Sequence, residues 1–220
     1  MEVKLVNNIL KANDLLADAN RRTFAARGVM VVNLLSSPGS GKTTLLERTA
    51  AGLAGRLGMA VIEGDLFTTR DAERIERQGL PVVQINTQGG CHLDAGMVAS
   101  ALSELKLEGK DLLFIENVGN LVCPAGYDLG ENLRVVVLSV AEGNDKPVKY
   151  PAAFRGSQAV VLNKIDLLPY TDFDVDDFLA DVRGINPALE VFPLSARTGQ
   201  GMEEWFNWVE AQVKRRRRAV

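Results

Sequence analysis

The sequence contains very little sulfur or imidazole, and it has neither a strong net charge nor a long hydrophobic run. Its 220 residues include two cysteines, one histidine and 6% aromatic residues, and the formal net charge is −3. Two cysteines cannot form a disulfide framework, so a reduced compartment is expected. The weak charge gives no sign of a partner that is a nucleic acid or an acidic membrane. No apolar stretch is long enough to span a bilayer and no secretory signal is visible, so we expect a cytoplasmic protein.

Short apolar strands alternate with helical patterns along most of the chain. Apolar strands separated by helices predict a mainly parallel sheet of about seven strands with helices on both faces, an α/β fold. In such a sheet the carboxyl ends of the strands share one edge, where ligands bind. The predicted strands are 29–35, 59–63, 82–85, 111–116, 134–140, 158–163 and 189–194. The predicted helices are 43–56, 70–78, 94–106, 174–184 and 199–216.

The organisation predicted is a single domain with an additional N-terminal helix. Residues 1–28 form an amphipathic helix that packs on the domain formed by residues 29–220. The segment 141–156 is the longest irregular piece and is expected to be a mobile loop. The apolar positions that define the N-terminal helix are Leu5, Ile9, Leu16 and Phe24.

A phosphate-binding loop follows the first predicted strand in the string SSPGSGKTTLL, residues 36–46. Glycines there can bring backbone N–H groups to phosphate oxygens, the lysine can reach the β and γ phosphates, and the next threonine can bind Mg²⁺. The usual pattern begins with glycine, whereas this chain has Ser36. The strand–loop–helix context favours a P-loop NTPase over an incidental glycine-rich turn. The nucleotide-binding residues predicted here are Gly39, Ser40, Gly41, Lys42, Thr43 and Thr44.

A second motif, VVLNKIDLL, indicates which base is bound. Asn163, Lys164 and Asp166 form an N-K-x-D arrangement in which the aspartate can accept hydrogen bonds from two guanine donors that adenine lacks. In the string PLSART, Ser195 and Ala196 are expected to offer a backbone N–H to guanine O6. The alternative is a strand-end turn with ordinary surface charges. The motif therefore predicts GTP and GDP as ligands.

Two carboxylates are candidates for the Mg²⁺ and water roles of phosphoryl transfer. Asp65 follows VIEG, and Glu116 ends the predicted strand 111–116. Together with Thr43 they are predicted to hold Mg²⁺, and together with Lys42 they form the predicted catalytic set. The assignment of each carboxylate is open, and Asp65 is alternatively a helix cap. The segment 116–123 is predicted to be a switch ordered by the γ-phosphate.

The three soft ligands of the chain fall in two loops that leave strand ends. Cys91 and His92 are adjacent, and Cys123 lies in the predicted switch. Thiolate and imidazole suit Zn²⁺ or Ni²⁺, although small core cysteines and a satisfied histidine are the alternative. Three ligands leave a four-coordinate site open, and adjacent side chains tend to diverge. Both points favour a site shared across a homodimer.

Six strings together resemble the HypB family of hydrogenase nickel-incorporation GTPases, from about residue 5 to residue 212. The resemblance implies a GTPase of the dimerising switch class that hydrolyses GTP slowly and delivers nickel to [NiFe]-hydrogenase. It also implies a metal site of Cys91, His92 and Cys123 at the subunit interface. Implied partners are a second copy favoured by GTP, a nickel-delivering accessory protein and the hydrogenase large-subunit precursor. The strings are SSPGSGKTT, EGDLFTTRDAERI, GGCHLD, FIENVGNLVCPAGYDLGE, EGNDKPVKYP and NKIDLLPY.

Several features qualify this resemblance. Many relatives carry a cysteine-rich or histidine-rich N-terminal nickel motif that this chain lacks, so nickel is expected at the GTPase-domain site or from a partner. The resemblance implies that Lys146 or Lys149 reaches the nucleotide. The alternative is that both lysines belong to a solvated, charged loop. The basic end VKRRRRAV is a solvated helix terminus or a docking site for an acidic partner.

The rivals are a urease-type nickel GTPase, a small-molecule P-loop kinase, a cobalamin-enzyme chaperone GTPase and a metal store in which GTP is incidental. The urease type is expected to show Cys-Pro-His and Glu-Ser-Gly-Gly, where this chain has CHLD and ENVGN. The NKID string argues against a kinase, and a cobalamin chaperone does not require GGCHLD. A metal store predicts that metal affinity does not depend on the nucleotide.

Overall fold

The computed structural model describes residues 2–65 and 69–219, with side chains for 10–65 and 69–218. The strands are β1 (Met30–Ser36), β2 (Met59–Asp65), β3 (Val82–Asn86), β4 (Leu112–Gly119), β5 (Leu133–Ser139), β6 (Ala159–Asn163) and β7 (Glu190–Pro193). The α-helices are α1 (Glu2–Ala26), α2 (Lys42–Leu53), α3 (Arg70–Glu76), α4 (Ala95–Ala101), α5 (Lys146–Lys149), α6 (Pro151–Arg155), α7 (Val175–Ile185) and α8 (Met202–Ala219). Short 3₁₀ turns occupy Pro124–Gly126, Val140–Glu142 and Ile165–Tyr170.

The strands form one parallel sheet in the order β3-β2-β4-β1-β5-β6-β7. This confirms the predicted α/β fold. β4 lies between β1 and β2, so the carboxyl ends of these three strands meet at one edge. Ligands bind at that edge in open parallel sheets. The order of the strands therefore brings together residues that are far apart in sequence, such as Ser36 and Gly119.

Apolar side chains cover both faces of the sheet. On one face α2, α3 and α8 pack on the sheet through residues such as Leu53, Ile75 and Trp205, and on the other α1, α4, α6 and α7 do so. Trp205 is fully buried, and its indole N–H donates to Thr49 Oγ1 at 2.9 Å. Burial of this ring is therefore not opposed by an unpaired donor. The two-sided burial explains why the strands contain continuous apolar runs.

Buried polar groups help to hold helix α1 to the rest of the chain. Asn13 donates to Asp128 O and accepts from Ala95 N, both at 2.9 Å. Asn20 Nδ2 donates to Ala95 O at 2.9 Å and to Leu129 O at 3.1 Å. Both asparagines are buried. The helix is thus fixed to the start of α4 and to the loop before β5.

The apolar residues of α1 predicted only part of the surface that this helix buries. Phe24 is buried as predicted, whereas Leu16 is 45% exposed, because the buried face is formed by the asparagines and Ala17. Leu5 and Ile9 lie outside the residues whose side chains are described.

Two local expectations are wrong. The segment 141–156 is not irregular: it contains part of the turn Val140–Glu142, followed by α5 and α6. Prolines at the start of each helix suit the first turn, where no N–H bond is lost. Glu116 does not end a strand, because β4 continues to Gly119, paired with β1 through Ser36. The first part of the predicted switch is therefore sheet.

The basic end of α8 is anchored within the protein at one position, since Arg217 forms an ion pair with Asp111. Cations in the last turn also complement the helix dipole. In the described part of the chain, no helix combines the length and the apolar character that membrane crossing requires.

Gly130 allows α1 to approach the loop before β5. Its φ is +89°, and a Cβ there would lie 2.6 Å from Ala17 O. We expect Gly130→Ala to lower the free energy of unfolding by about 2 kcal/mol or more, because left-handed backbone strain adds to the clash. Urea denaturation measures this. Gly184→Ala is the control: its site in α7 is open, and it should raise stability by about 0.5–1 kcal/mol. Equal effects of the two changes would contradict the assigned contact.

Candidate functional site

The phosphate loop lies at the carboxyl end of β1 and borders a cavity of about 470 Å³. Gly39 and Gly41 have φ of +76° and +96°, which glycine adopts without strain. Gly41 is the N-cap of α2, so the positive end of the helix faces the cavity. A Cβ on Gly41 would lie 2.6 Å from Asn163 Nδ2. This close approach requires glycine at the last position before the helix.

Ser36, which departs from the usual glycine, has a local role. Lys42 Nζ donates to Ser36 Oγ at 2.5 Å, and the Ser36 hydroxyl donates to Ser37 O at 2.7 Å. Burial lowers the pKa of Lys42, an effect that the carboxylate of Glu116 opposes. Ser36 therefore holds the lysine ammonium at the base of the loop.

Two buried glutamates face the phosphate loop from neighbouring strands. Glu116 Oε1 accepts from Thr43 Oγ1 at 2.8 Å, which joins β4 to the first turn of α2. Glu63 in β2 is in register with Glu116 and is 3% exposed. The Oε2 atoms of both are buried without a hydrogen-bond partner among the described residues. Such buried oxygens suit a divalent cation or a phosphate-bound donor.

Glu63 is a site residue that no sequence motif predicted. A carboxylate inside an otherwise apolar strand, VIEGD, was the available signal. Burial raises its pKa to about 8, with Glu116, Asp65 and Asp71 adding to the rise and Lys42 opposing it. Glu63 thus adds to the site a titratable carboxyl that the motifs did not indicate.

Glu116 is perturbed in the same direction. Burial raises its pKa to about 6, although Lys42 and the bond from Thr43 oppose the rise. Asp65 is the last residue of β2 and lines the cavity. Since α3 begins at Arg70 with Thr69 as its N-cap, the alternative of Asp65 as a helix cap is wrong. With Asp71, which also lines the cavity, four carboxylates therefore border the phosphate site.

Residues of the NKID motif lie against the phosphate loop. Asn163 Nδ2 donates to Ser40 O at 2.9 Å, and Lys164 Nζ donates to Gly39 O at 2.6 Å. Asp166 Oδ1 is buried without a partner in the described part of the chain and borders a separate cavity of about 350 Å³. Thr44 lines both cavities. The two motifs thus form one continuous site.

Ser195 and Ala196 differ from the expectation that they offer free backbone N–H groups. Ser195 N donates to Gln200 O at 2.8 Å, and Ala196 N donates to Asn163 Oδ1 at 3.0 Å. Both amides are therefore already paired within the protein. The observed role of Ala196 is to hold Asn163 and to line the 350 Å³ cavity.

The three soft ligands lie together in one chain. One donor atom each of Cys91, His92 and Cys123 lies within 4.8 Å of the others, and Cys91 Sγ is 3.6 Å from His92 Nδ1. The expected divergence of Cys91 from His92 is thus wrong, because the bend after Gly90 directs both side chains to the same side. Tyr127 stacks on the imidazole with ring centroids 3.9 Å apart. The group is accessible, with Cys91 exposed.

The protonation of this cluster follows from its geometry. A hydrogen bond with Cys123 raises the pKa of the Cys91 thiol, and partial burial lowers the pKa of His92. Two cysteine sulfurs and an imidazole form a donor set for a soft or borderline metal, whose binding requires the sulfurs as thiolates.

A short segment connects the phosphate cavity to Cys123. Val118 and Gly119 line the cavity, and Cys123 follows four residues after Gly119. A Cβ on Gly119 would lie 3.0 Å from Pro38 Cα in the phosphate loop. The backbone of this segment at Gly119 therefore lies in close contact with the phosphate loop.

The two lysines suggested by resemblance interact within their own segment. Lys149 pairs with Asp145 at 2.5 Å, and Lys146 lies over the Tyr150 ring at 5.6 Å. Neither lines the phosphate cavity.

The fold and the phosphate loop define a nucleotide-binding protein of the P-loop NTPase class. The model of the CobW/HypB/UreG nucleotide-binding domain matches residues 30–193. The HypB hydrogenase maturation factors of Escherichia coli K12 and Azotobacter vinelandii are 53% and 55% identical over 212 and 218 residues, which are 96% and 99% of this chain and 72% of each relative. The chain therefore belongs to the HypB family of hydrogenase maturation factors.

A solved structure supports the same relationship. HypB from Helicobacter pylori, determined in complex with nickel, has a TM-score of 0.89 and 39% sequence identity. The match covers 93% of this chain and 96% of that one.

We expect Gly41→Ala to lower nucleotide affinity by about tenfold or more, because the new Cβ displaces Asn163 from Ser40. Equilibrium titration with a fluorescent guanine nucleotide measures the change. Gly55→Ala is the control: its φ of +75° carries similar strain, but nothing lies within 4 Å. If both variants lost affinity, general destabilisation would explain the result and the contact with Asn163 would not.

We expect the stability of the nucleotide-free protein to decrease as the pH rises from about 5 to about 8. The unfolded chain releases the Glu63 proton near the ordinary glutamate pKa of 4.5, whereas burial raises the pKa of Glu63 in the folded protein to about 8. Proton binding by Glu63 therefore favours the folded state at low pH, and this stabilisation is lost as the pH rises towards the folded pKa. The raised pKa of Glu116 has an effect of the same sign. Glu63→Gln should flatten the profile of urea midpoints against pH. Glu108→Gln at an exposed site is the control, and an unflattened Glu63→Gln profile would contradict the assignment.

Proposed function

We propose that the protein is a GTP-hydrolysing switch that assists nickel insertion into [NiFe]-hydrogenase. The observation that carries the proposal is the cluster of Cys91, His92 and Cys123, in which Cys123 lies on a segment that continues from the wall of the phosphate cavity. The names of the related hydrogenase maturation factors support the biological setting. The nickel complex of the H. pylori relative supports nickel as the cargo.

Guanine specificity rests on Asp166 in the NKID motif. Its buried, unpartnered Oδ1 borders the 350 Å³ cavity beside Lys164. An unpaired carboxylate in that position discriminates against a base that lacks the two guanine donors. The cavity size and the link from Asn163 to the phosphate loop fit one nucleotide that extends across both motifs.

The buried carboxylates support Mg²⁺-dependent hydrolysis. Thr43 and Glu116, with Glu63 and Asp65 nearby, provide the oxygen donors that Mg²⁺ prefers. When bound, this ion neutralises charge that develops on the phosphates. Lys42 orients the β and γ phosphates, and the raised pKa of Glu63 allows its carboxyl to hold or accept a proton beside the cavity.

The soft-ligand cluster supports transfer of metal rather than permanent storage. Its three donors leave a coordination position for a partner or a solvent ligand, and the exposure of Cys91 permits access. The donor set suits Ni²⁺ and also Zn²⁺. GTP-dependent pairing of two copies would bring two clusters together, and a nickel-delivering accessory protein and the hydrogenase large-subunit precursor would act before and after this step in the cytoplasm.

The domain organisation proposed is a single unit in which the helix of residues 1–28 packs on the GTPase domain of residues 29–220. The polar anchors Asn13 and Asn20 support it.

The decisive experiment is titration with Ni²⁺ and Zn²⁺ in the presence of GDP or a non-hydrolysable GTP analogue, with the dimer fraction measured in parallel. We expect one tight Ni²⁺ per chain and an affinity that changes about fivefold or more between nucleotides. Cys123→Ser should abolish tight binding because it removes a thiolate. Phosphate should be released from GTP without an added acceptor, which a small-molecule kinase would require.

Val122→Ser is the matched control, since Val122 is exposed, adjacent to Cys123 and not a ligand. It should retain the wild-type metal affinity. Metal affinity and dimer fraction that are indifferent to the nucleotide in the wild type would overturn the switch and leave a metal store.

A further inference from the structure

Asn117 is a buried polar residue that the proposed function does not yet use. It follows Glu116 in β4 and is 1% exposed. Because successive side chains of a strand point to opposite faces, Glu116 faces Thr43 whereas Asn117 faces α4. The contacts of both residues agree with this alternation.

The Asn117 amide joins β4 to the loop that contains Cys91 and His92. Its Oδ1 accepts from Leu93 N at 3.1 Å and from Val118 N at 3.0 Å. Leu93 directly follows His92, and Val118 lines the phosphate cavity. One side-chain oxygen thus fixes a backbone N–H next to a soft ligand and another at the cavity wall.

A chain of buried polar groups fixes the orientation of this amide. Asn117 Nδ2 donates to Asn33 Oδ1 at 3.3 Å, and Asn33 Nδ2 donates to Glu131 Oε1 at 3.2 Å. Arg134 in turn donates to Glu131 Oε1 at 2.5 Å. With both amide atoms engaged, rotation of Asn117 would leave buried groups unpaired. The side-chain amide of Asn117 therefore moves together with β4 and does not rotate to a new position.

Leu93 makes a second contact with the sheet, through β2. Its fully buried side chain covers Gly64, where a Cβ would lie 2.9 Å from three Leu93 carbons. Gly64 lies between Glu63 and Asp65. Leu93 is thus held by β4 through its amide and by β2 through its side chain, next to the residues that surround the phosphates.

We propose that Asn117 is a positioning residue that transmits the state of the phosphate cavity to Cys91 and His92 through the Leu93 amide. The inference rests on the proposed function, since it supplies a route from nucleotide to metal that is separate from the segment leading to Cys123. A shift of β4 that follows a γ-phosphate displaces the Asn117 amide, and the paired Leu93 N–H carries His92 with it. A change at the phosphate cavity therefore reaches both loops that carry the soft ligands, the loop of Cys91 and His92 and the loop of Cys123.

The test is the ratio of nickel dissociation constants measured with saturating GDP and with saturating GTP analogue. In the wild type we expect a ratio that differs from one by about fivefold or more, and in Asn117→Ala a ratio within about twofold of one. Nickel should still bind Asn117→Ala at one ion per chain, because all three ligands are retained. Asn186→Ala is the matched control: the Asn186 side chain likewise bonds two backbone groups, in this case by donating from Nδ2 to the carbonyls of Phe154 and Ser157, away from the site. It should keep the wild-type ratio.

A measurement on the wild-type protein covers the case in which Asn117→Ala does not fold. Hydrogen exchange of the Leu93 amide should differ between the GDP and GTP-analogue states. A Leu93 amide that exchanges equally in both states, while nickel affinity differs, would overturn the inference. So would a wild-type ratio retained in Asn117→Ala, with the proposed function intact. A ratio near one in the wild type contradicts the proposed function, and the inference fails with it.

Discussion

Alternation of side chains along β4 is the constraint on which the site depends. β4 lies between β1 and β2, so its carboxyl end is enclosed by the phosphate loop on one face and by the loop before α4 on the other. Glu116 and Asn117 are one residue apart and consequently face these two environments. Because both side chains belong to one strand, the position of β4 relates the nucleotide cavity to the loop that carries Cys91 and His92.

Burial of charge determines the chemistry at the phosphate loop. Glu63, Glu116 and Lys42 share a small volume from which water is largely excluded, so the two glutamates have raised pKa values and the lysine a lowered one. Buried carboxylates with unpaired oxygens are costly unless a cation or a donor reaches them. Under the proposed function, a nucleotide with its bound cation would relieve this cost.

The soft-ligand cluster has the opposite character, since it is accessible and is built on loops. Cys91, His92 and Cys123 approach one another within a single chain, and Tyr127 supports the imidazole. A ligand set at the surface can exchange its metal with a partner, whereas a closed site would retain it. The location of the cluster, next to strand ends that surround the phosphates, is what would allow a nucleotide to control that exchange.

The sequence by itself determined the parallel α/β fold, the phosphate loop, the guanine motif and the candidate soft ligands. These signals are local: apolar runs report burial on both faces, and glycine, lysine and threonine spacing reports contact with phosphate. Only the tertiary structure decided that Glu63 joins the site, that the amides of Ser195 and Ala196 are already paired, and that Cys91, His92 and Cys123 meet in one chain. Strand register and hydrogen-bond pairing set these relations between residues distant in sequence, and no spacing along the chain records them.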